Sequence, residues 1–288
     1  MKLALGTVQF GLPYGIANQT GQVSLKSGVD LLQQAWAAGM NTLDTAMAYG
    51  ESEQRLGEMG VEQWRVISKL PAFPEASTDV AAWVKKSVFD SLAKLKIAKL
   101  YGLLLHRPEQ LFTREGVIIY RELLSLKAQG KIEKIGVSVY EPAEMNTLFS
   151  SFQFDLIQTP FNILDRRFVT SGCFKRCKQA GIEIHVRSIF LQGLLLMEAV
   201  KRPAIFNKWQ SLWNKWHLWL HSQALTPLQA CIGFALSQAE IDSVIVGVDS
   251  SEQLQQILDV AKMSQSIGYP SFEIEDLQLL NPSNWTRL

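Results

Sequence analysis

Eight short runs with the pattern of β-strands punctuate the chain, and a stretch with the apolar spacing of a helix follows each one. The runs are Leu3–Leu5, Thr42–Thr45, Arg65–Lys69, Leu100–His106, Lys134–Ser138, Asp155–Thr159, Ile182–Arg187 and Ser243–Val246. Short runs of this kind predict buried strands, and strands alternating with helices of ten or more residues predict a parallel sheet built from βαβ units. Eight such units in 288 residues predict a closed (β/α)8 TIM barrel of class α/β, one domain spanning residues 1–288. No glycine-rich GxGxxG follows a strand and opens a helix, so the fingerprint of a doubly wound dinucleotide fold is absent.

The helices carry their own stop and start signals. Leu25–Gly39 follows a Ser24 cap and closes on glycine, as do Thr113–Gly130 and Ser171–Gly181. Ser77–Lys96 has an apolar stripe at Val80, Trp83, Val84, Val88, Leu92 and Leu95. Pro142 suits the first turn of a short helix to Ser150, and Thr226 caps Pro227–Ala239. Ser250-Ser251-Glu252-Gln253 has the spacing of a capping box for a last helix running to Lys262. Between Leu194 and Leu225 no strand is predicted. Its tryptophans at 209, 213, 216 and 219 recur at helical spacing and read as a core-packing face rather than an aromatic wall beside a substrate.

Composition adds mainly exclusions. The chain is 47% hydrophobic and 19% charged with net charge +1, so no long-range field draws it to nucleic acid or an anionic membrane. No apolar run approaches the ~20 residues of a membrane span, and Met1–Gly6 reads as a first strand rather than a signal peptide. Three cysteines without framework spacing fit free thiols in a reducing cytoplasm. The expected location is cytoplasmic.

Chemistry concentrates in one stretch, Asn41 to Gly57. Asp44 ends the second strand, Tyr49 follows on its loop, and Glu51, Ser52 and Glu53 suit the first turn of the next helix. Lys69 and His106 end the third and fourth strands. In a barrel of this kind the site lies at the C-terminal ends of the strands. Strand alternation turns Asp44, Lys69 and His106 inward together. The combination makes sense as a proton donor. A phenol's ordinary pKa near ~10 is too high for efficient donation at neutral pH, and a nearby ammonium lowers it. A carboxylate holds the ammonium in place, and an imidazole orients a substrate carbonyl. No GxSxG elbow is present, and no metal is expected, because His217 and His221 lack an HExxH glutamate and Cys173 and Cys177 lack companions. On the seventh strand Glu183 and His185 point inward below Arg187 and predict a buried hydrogen-bonded layer.

These residues resemble the aldo-keto reductases nearly end to end. The resemblance is carried by Leu5-Gly6-Thr7 with Phe10-Gly11, by Asp44-Thr45-Ala46 with Tyr49-Gly50, Ser52-Glu53 and Leu56-Gly57, and by Ser68-Lys69. It continues through His106-Arg107-Pro108, Gly130-Lys131-Ile132 with Ile135-Gly136-Val137-Ser138, and Gln158 with Asn162. The resemblance implies a catalytic tetrad of Asp44, Tyr49, Lys69 and His106, with Tyr49 as general acid. It also implies hydride transfer from a bound nicotinamide to an aldehyde or ketone, the cofactor supplying the chemistry.

For the cofactor, the resemblance assigns Ser138 and Gln158 to the nicotinamide amide. Ser188, Leu191, Gln192 and Gly193 fall in a loop over the pyrophosphate. Arg187 stands where the family offers a stacking aromatic ring, and a guanidinium plane can also stack. Val139 replaces a family asparagine. The last loop, with Gly247, Asp249, Ser250 and Gln253, departs most, because the cations expected for a 2′-phosphate are missing. The family places NADP(H) ahead, with NAD(H) as the alternative that Asp249 favours by accepting from a ribose hydroxyl. The alternatives to a reductase are a non-catalytic cofactor-binding sensor or scaffold and an unrelated barrel lyase or isomerase. The expected partner is a small carbonyl substrate, shaped by Val8–Asn18, Pro71–Ser77 and the tail Tyr269–Leu288, with Trp285 as a lid contact.

Overall fold

The computed structural model describes residues 1–16, 18, 20–74, 79–263, 267–272 and 274–287. Eight parallel strands close on themselves in chain order. They are β1 (Leu3–Gly6), β2 (Thr42–Asp44), β3 (Arg65–Leu70), β4 (Leu100–Leu105), β5 (Ile132–Ser138), β6 (Leu156–Pro160), β7 (Glu183–Arg187) and β8 (Ser243–Gly247). The barrel expected from the alternating pattern is therefore present, closed by β1 pairing with β8 at Leu3–Val244 through Gly6–Gly247.

One helical turn, α1 (Val8–Gly11), follows β1. Next come α2 (Leu25–Ala37), α3 (Ser52–Met59), α4 (Val80–Leu95), α5 (Arg114–Ala128) and α6 (Pro142–Phe149). After β6 lie α7 (Arg167–Thr170) and α8 (Cys173–Gln179), and after β7 lie α9 (Gln210–Ser222) and α10 (Pro227–Ser237). The chain ends with α11 (Ser251–Lys262), α12 (Leu277–Leu280) and a final 3₁₀ turn.

Side-chain caps explain several of these boundaries. Ser24 accepts from the Ser27 N–H, and Thr226 and Gln229 form a reciprocal capping box. The helix α4 starts at Val80 because Asp79 accepts from the Ala82 N–H, while Ser77 and Thr78 of the expected start lie outside the described residues. The expected Ser171–Gly181 helix is shortened to α8 (Cys173–Gln179), because Gly172 takes φ 69°, a left-handed conformation that separates it from the preceding turn α7.

Inside the barrel, Ile67, Leu104 and Leu156 form a cluster apart from the main core. Each lies two residues before Lys69, His106 and Gln158 respectively, hence on the same strand face. Room for this layer comes from Gly136, where a Cβ would meet Leu156 O at 2.2 Å and Leu104 Cδ2 at 2.6 Å. The alternate strand residues, such as Val66, Leu103, Leu105, Val137 and Ile157, face outward into one continuous core that also holds Val84, Val88, Ile119 and Leu123.

The expected polar layer on β7 is present and larger than the sequence suggests. His185 Nε2 lies 2.6 Å from Glu183 Oε1, and Glu183 Oε2 accepts from the Tyr101 hydroxyl at 2.9 Å and from Lys134. Burial opposes the Glu183 charge, but His185 and Lys134 outweigh it and hold the carboxyl down at about 2. Trp213 and Trp216 are fully buried, in line with a core-packing face. Trp285 is not a lid contact. Its indole N–H donates to Leu279 O at 3.0 Å and its ring packs edge-on against Phe206 at 4.9 Å, so it anchors the tail.

Candidate active site

The loops at the C-terminal end of the barrel are tied together before any titratable side chain is placed. Thr7, just past β1, donates from its hydroxyl to Asp44 O at 3.0 Å. Ser52, at the start of α3, donates to Thr7 O at 2.9 Å and lies 3.0 Å from the hydroxyl of Thr45. Glu53 turns into the interior, where both Ser68 and Ser91 donate to Oε1 at 2.6 Å. Its negative charge sits in the first turn of α3, where the helix dipole is favourable. These hydroxyls and the buried carboxylate fix the loop that carries Tyr49, and no periodicity argument singles them out.

On this frame the four strand-end groups converge. Lys69 Nζ donates to Asp44 Oδ2 at 2.7 Å and to Thr45 O at 2.8 Å. The same ammonium lies 5.0 Å from the centre of the Tyr49 ring, and the His106 ring stands edge-on to Tyr49 at 6.0 Å. The other oxygen of Asp44 accepts from Gln158 Nε2 at 2.6 Å. Burial disfavours the Lys69 charge, yet Asp44 and Tyr49 more than compensate and raise its pKa above the ordinary value. His106 moves the other way. Burial, then the Lys69 and Arg187 charges, lower it to about 4. At neutral pH the site thus holds an ammonium paired with a carboxylate and an uncharged imidazole.

The His106 shift has a stability consequence. Its folded pKa lies below the ordinary ~6.5, so the unfolded chain binds more protons between the two values and stability falls as pH drops through that window. The Glu183 contribution is lost only further down, as pH falls from about 4.5 toward 2. Thermal melts between pH 6.5 and 4.5 are expected to show Tm declining with pH, and His106→Asn flattening that slope. An unchanged slope in the variant would place the titration elsewhere.

All four groups open onto a cavity of about 760 Å³. Ser138, Gln158, Arg187, Ser188, Gln192, Gly193, Gly247, Asp249 and Gln253 also line it, as do Gln9, Tyr14, Asn18, Tyr140 and Gln256 from outside the sequence-derived set. Two residues of that set do not line it. Leu191 is fully buried, and Ser250 Oγ is used in capping α11, accepting from the Gln253 N–H at 3.3 Å. The capping box is also displaced by one residue. Gln253 Oε1 accepts from the Asp249 N–H at 2.9 Å, not from that of Ser250.

Along the β7 loop, Ser188, Leu191 and Gln192 have φ of 61°, 49° and 53°, followed by Gly193 at 91°. Three non-glycine residues in the left-handed region represent strain of order ~1–3 kcal/mol each, which tends to be kept at ligand clamps. At the far end, Asp249 Oδ1 accepts from Asn18 Nδ2 at 3.1 Å, so the loops after β1 and β8 meet across the cavity. The tail reaches the cavity through Pro282 and Ser283.

One acceptor in the cavity lining fits a primary amide. Gln158 Oε1 is buried without a partner among the described residues, while its Nε2 is held by Asp44. A primary amide N–H₂, such as that of a nicotinamide carboxamide, is the group that such an acceptor lacks.

The aldo/keto reductase family model matches residues 2–267, and the chain belongs to that family of oxidoreductases. Among individual relatives, it is 24% identical to a D-threo-aldose 1-dehydrogenase from a Pseudomonas species, over 92% of this chain and 93% of that protein. It is also 24% identical to an NADH-specific methylglyoxal reductase from Escherichia coli K12, over 88% of each. The fold matches an aldo-keto reductase from Bacillus halodurans in its holo form, with a TM-score of 0.73 at 20% identity over 92% and 88% of the two chains. No helix among the described residues is long and apolar enough to cross a membrane.

Proposed function

We propose that this protein reduces a small aldehyde or ketone with NADH, Tyr49 giving the proton. The observation that carries the reading is the Lys69 ammonium, bonded to Asp44 at 2.7 Å and poised 5.0 Å from the Tyr49 ring at the cavity floor. When bound, the nicotinamide supplies the hydride. The protein's part is to bind, orient and protonate. Neutral His106 offers an N–H to the carbonyl oxygen. Tyr49 passes its proton to that oxygen, and Lys69 stabilises the negative charge that develops on the phenolic oxygen. Asp44 keeps Lys69 charged, and through Gln158 it connects the proton donor to the carboxamide holder. Ser138 and Gln158 would hold the carboxamide, with Arg187 flanking the ring and the Ser188–Gly193 loop over the pyrophosphate.

NADP(H) leads on family grounds, but the ribose end supports NAD(H). Asp249 and Gln253 line the cavity together with Asn18 and Gln256, and Asn18 donates to Asp249. The start of α11 is already occupied, since Ser250 accepts from Gln253 and Gln253 from Asp249, and Glu252 adds negative charge in the first turn. A 2′-phosphate placed against a carboxylate is repelled, whereas a 2′-hydroxyl can donate to it. Titration of tryptophan fluorescence is expected to show NADH binding at least about tenfold more tightly than NADPH, a modest ~1.4 kcal/mol difference. Asp249→Asn narrows that gap. NADPH binding as tightly as NADH would overturn the assignment of Asp249 to the ribose. Turnover of methylglyoxal or another small aldehyde with NADH tests the reductase reading itself, and a chain that binds NADH without any turnover would be a sensor instead.

A further inference from the structure

Arg187 brings to the cavity a charge to which the proposed chemistry gives only a flanking place. It ends β7, lines the cavity and is half-buried. Its guanidinium lies over the Tyr140 ring, with Cζ 4.4 Å from the centroid, and donates a long 3.4 Å hydrogen bond to Val139 O. Among the described residues no carboxylate lies within ion-pairing distance of it. The other deeply placed cation, Lys69, is neutralised by Asp44, and His106 is uncharged at neutral pH. The floor of the cavity therefore carries one uncompensated positive charge.

Its place relative to the amide holders is fixed by strand register. Ser138 pairs with Gln158, and Pro160, two residues beyond Gln158, pairs with Arg187. Val139, whose carbonyl holds the guanidinium, directly follows Ser138. Arg187 thus lines the same part of the cavity as Gln158, whose Oε1 has no partner among the described residues. The two states of the cofactor differ there by one charge, since oxidised nicotinamide is a pyridinium cation and reduced nicotinamide is neutral.

We propose that Arg187 is a specificity-determining residue that selects the reduced cofactor over the oxidised one, by repelling the pyridinium charge within the carboxamide pocket. This rests on the nicotinamide-binding reading given above. Like charges a few ångströms apart in a partly desolvated pocket repel strongly, and Tyr140 and Val139 hold the guanidinium so that it does not swing away. By linkage, whatever preference the site shows for NADH over NAD⁺ also raises the potential of the bound couple, about 30 mV for each tenfold in this two-electron pair. Oxidised cofactor is then released readily after the hydride has left.

The test is a set of binding titrations, read by tryptophan fluorescence, of NADH and NAD⁺ against wild type, Arg187→Gln and Arg187→Lys. The wild type is expected to favour NADH by about tenfold or more. Arg187→Gln reduces that preference to about threefold or less by tightening NAD⁺, and Arg187→Lys retains it. Circular dichroism of each variant reports its folding, and the wild-type ratio stands even if a variant fails to fold. Equal affinities in the wild type, or a preference that survives in Arg187→Gln, would overturn the inference while leaving nicotinamide binding intact. Binding of neither form would overturn it together with the cofactor reading, a result distinguishable from the other two.

Discussion

Tyr49→Phe is expected to lower kcat for NADH-dependent carbonyl reduction by about 10²–10⁴-fold, the usual worth of a positioned general acid. The change removes one oxygen and leaves the ring that packs against His106 at 6.0 Å and lies 5.0 Å from Lys69. Folding and NADH affinity should therefore be little altered, and KM should move far less than kcat, because the lost interaction is made in the transition state. Steady-state kinetics and a parallel NADH titration separate these terms. A variant within about threefold of wild-type kcat would remove Tyr49 from the proton-transfer step.

Lys69→Met is expected to cost about 3–5 kcal/mol of stability, the loss typical when one member of a buried ion pair is deleted. Lys69 is 1% exposed and Asp44 5%, so neither charge has water to fall back on. Without the ammonium, Asp44 keeps, among the described residues, only the Gln158 hydrogen bond at 2.6 Å. Thr45 O also loses its lysine donor at 2.8 Å. The double variant Asp44→Asn/Lys69→Met should recover much of the loss, since a neutral amide beside Gln158 carries no unpaired charge. Urea unfolding of the two single variants and the double completes the cycle. Additive losses would show that the pair is not coupled. All three variants should be deficient in turnover, so only the stability readout tests the ion pair.

How much of this was legible beforehand depends on the kind of signal. The eight strands were readable because each is buried on both faces and reads as a short apolar run, and the helix stripes and caps follow from local geometry. The convergence of Asp44, Lys69 and His106 was readable because all three stand at strand ends, which in a barrel meet at one face. Short-range rules also misjudged two details. The helix expected from Ser171 starts only after Gly172, and Gln253 reaches Asp249 rather than Ser250.

The sequence by itself determined the barrel, its order and the inward face of its site strands, since these depend on spacing along one strand or helix. Only the tertiary structure decided how residues distant in sequence complete the site. The Thr7–Asp44–Ser52 hydroxyl ties, the burial of Glu53 between Ser68 and Ser91, and the Asn18–Asp249 bridge join residues from different units. Polar partners chosen across the barrel leave no periodic trace, because one hydrogen bond needs only two atoms within about 3 Å and no repeating pattern in either segment. The same reason hid the anchoring of Trp285 and the solitary charge of Arg187. Whether a guanidinium is paired depends on every neighbour that the fold brings or fails to bring to it.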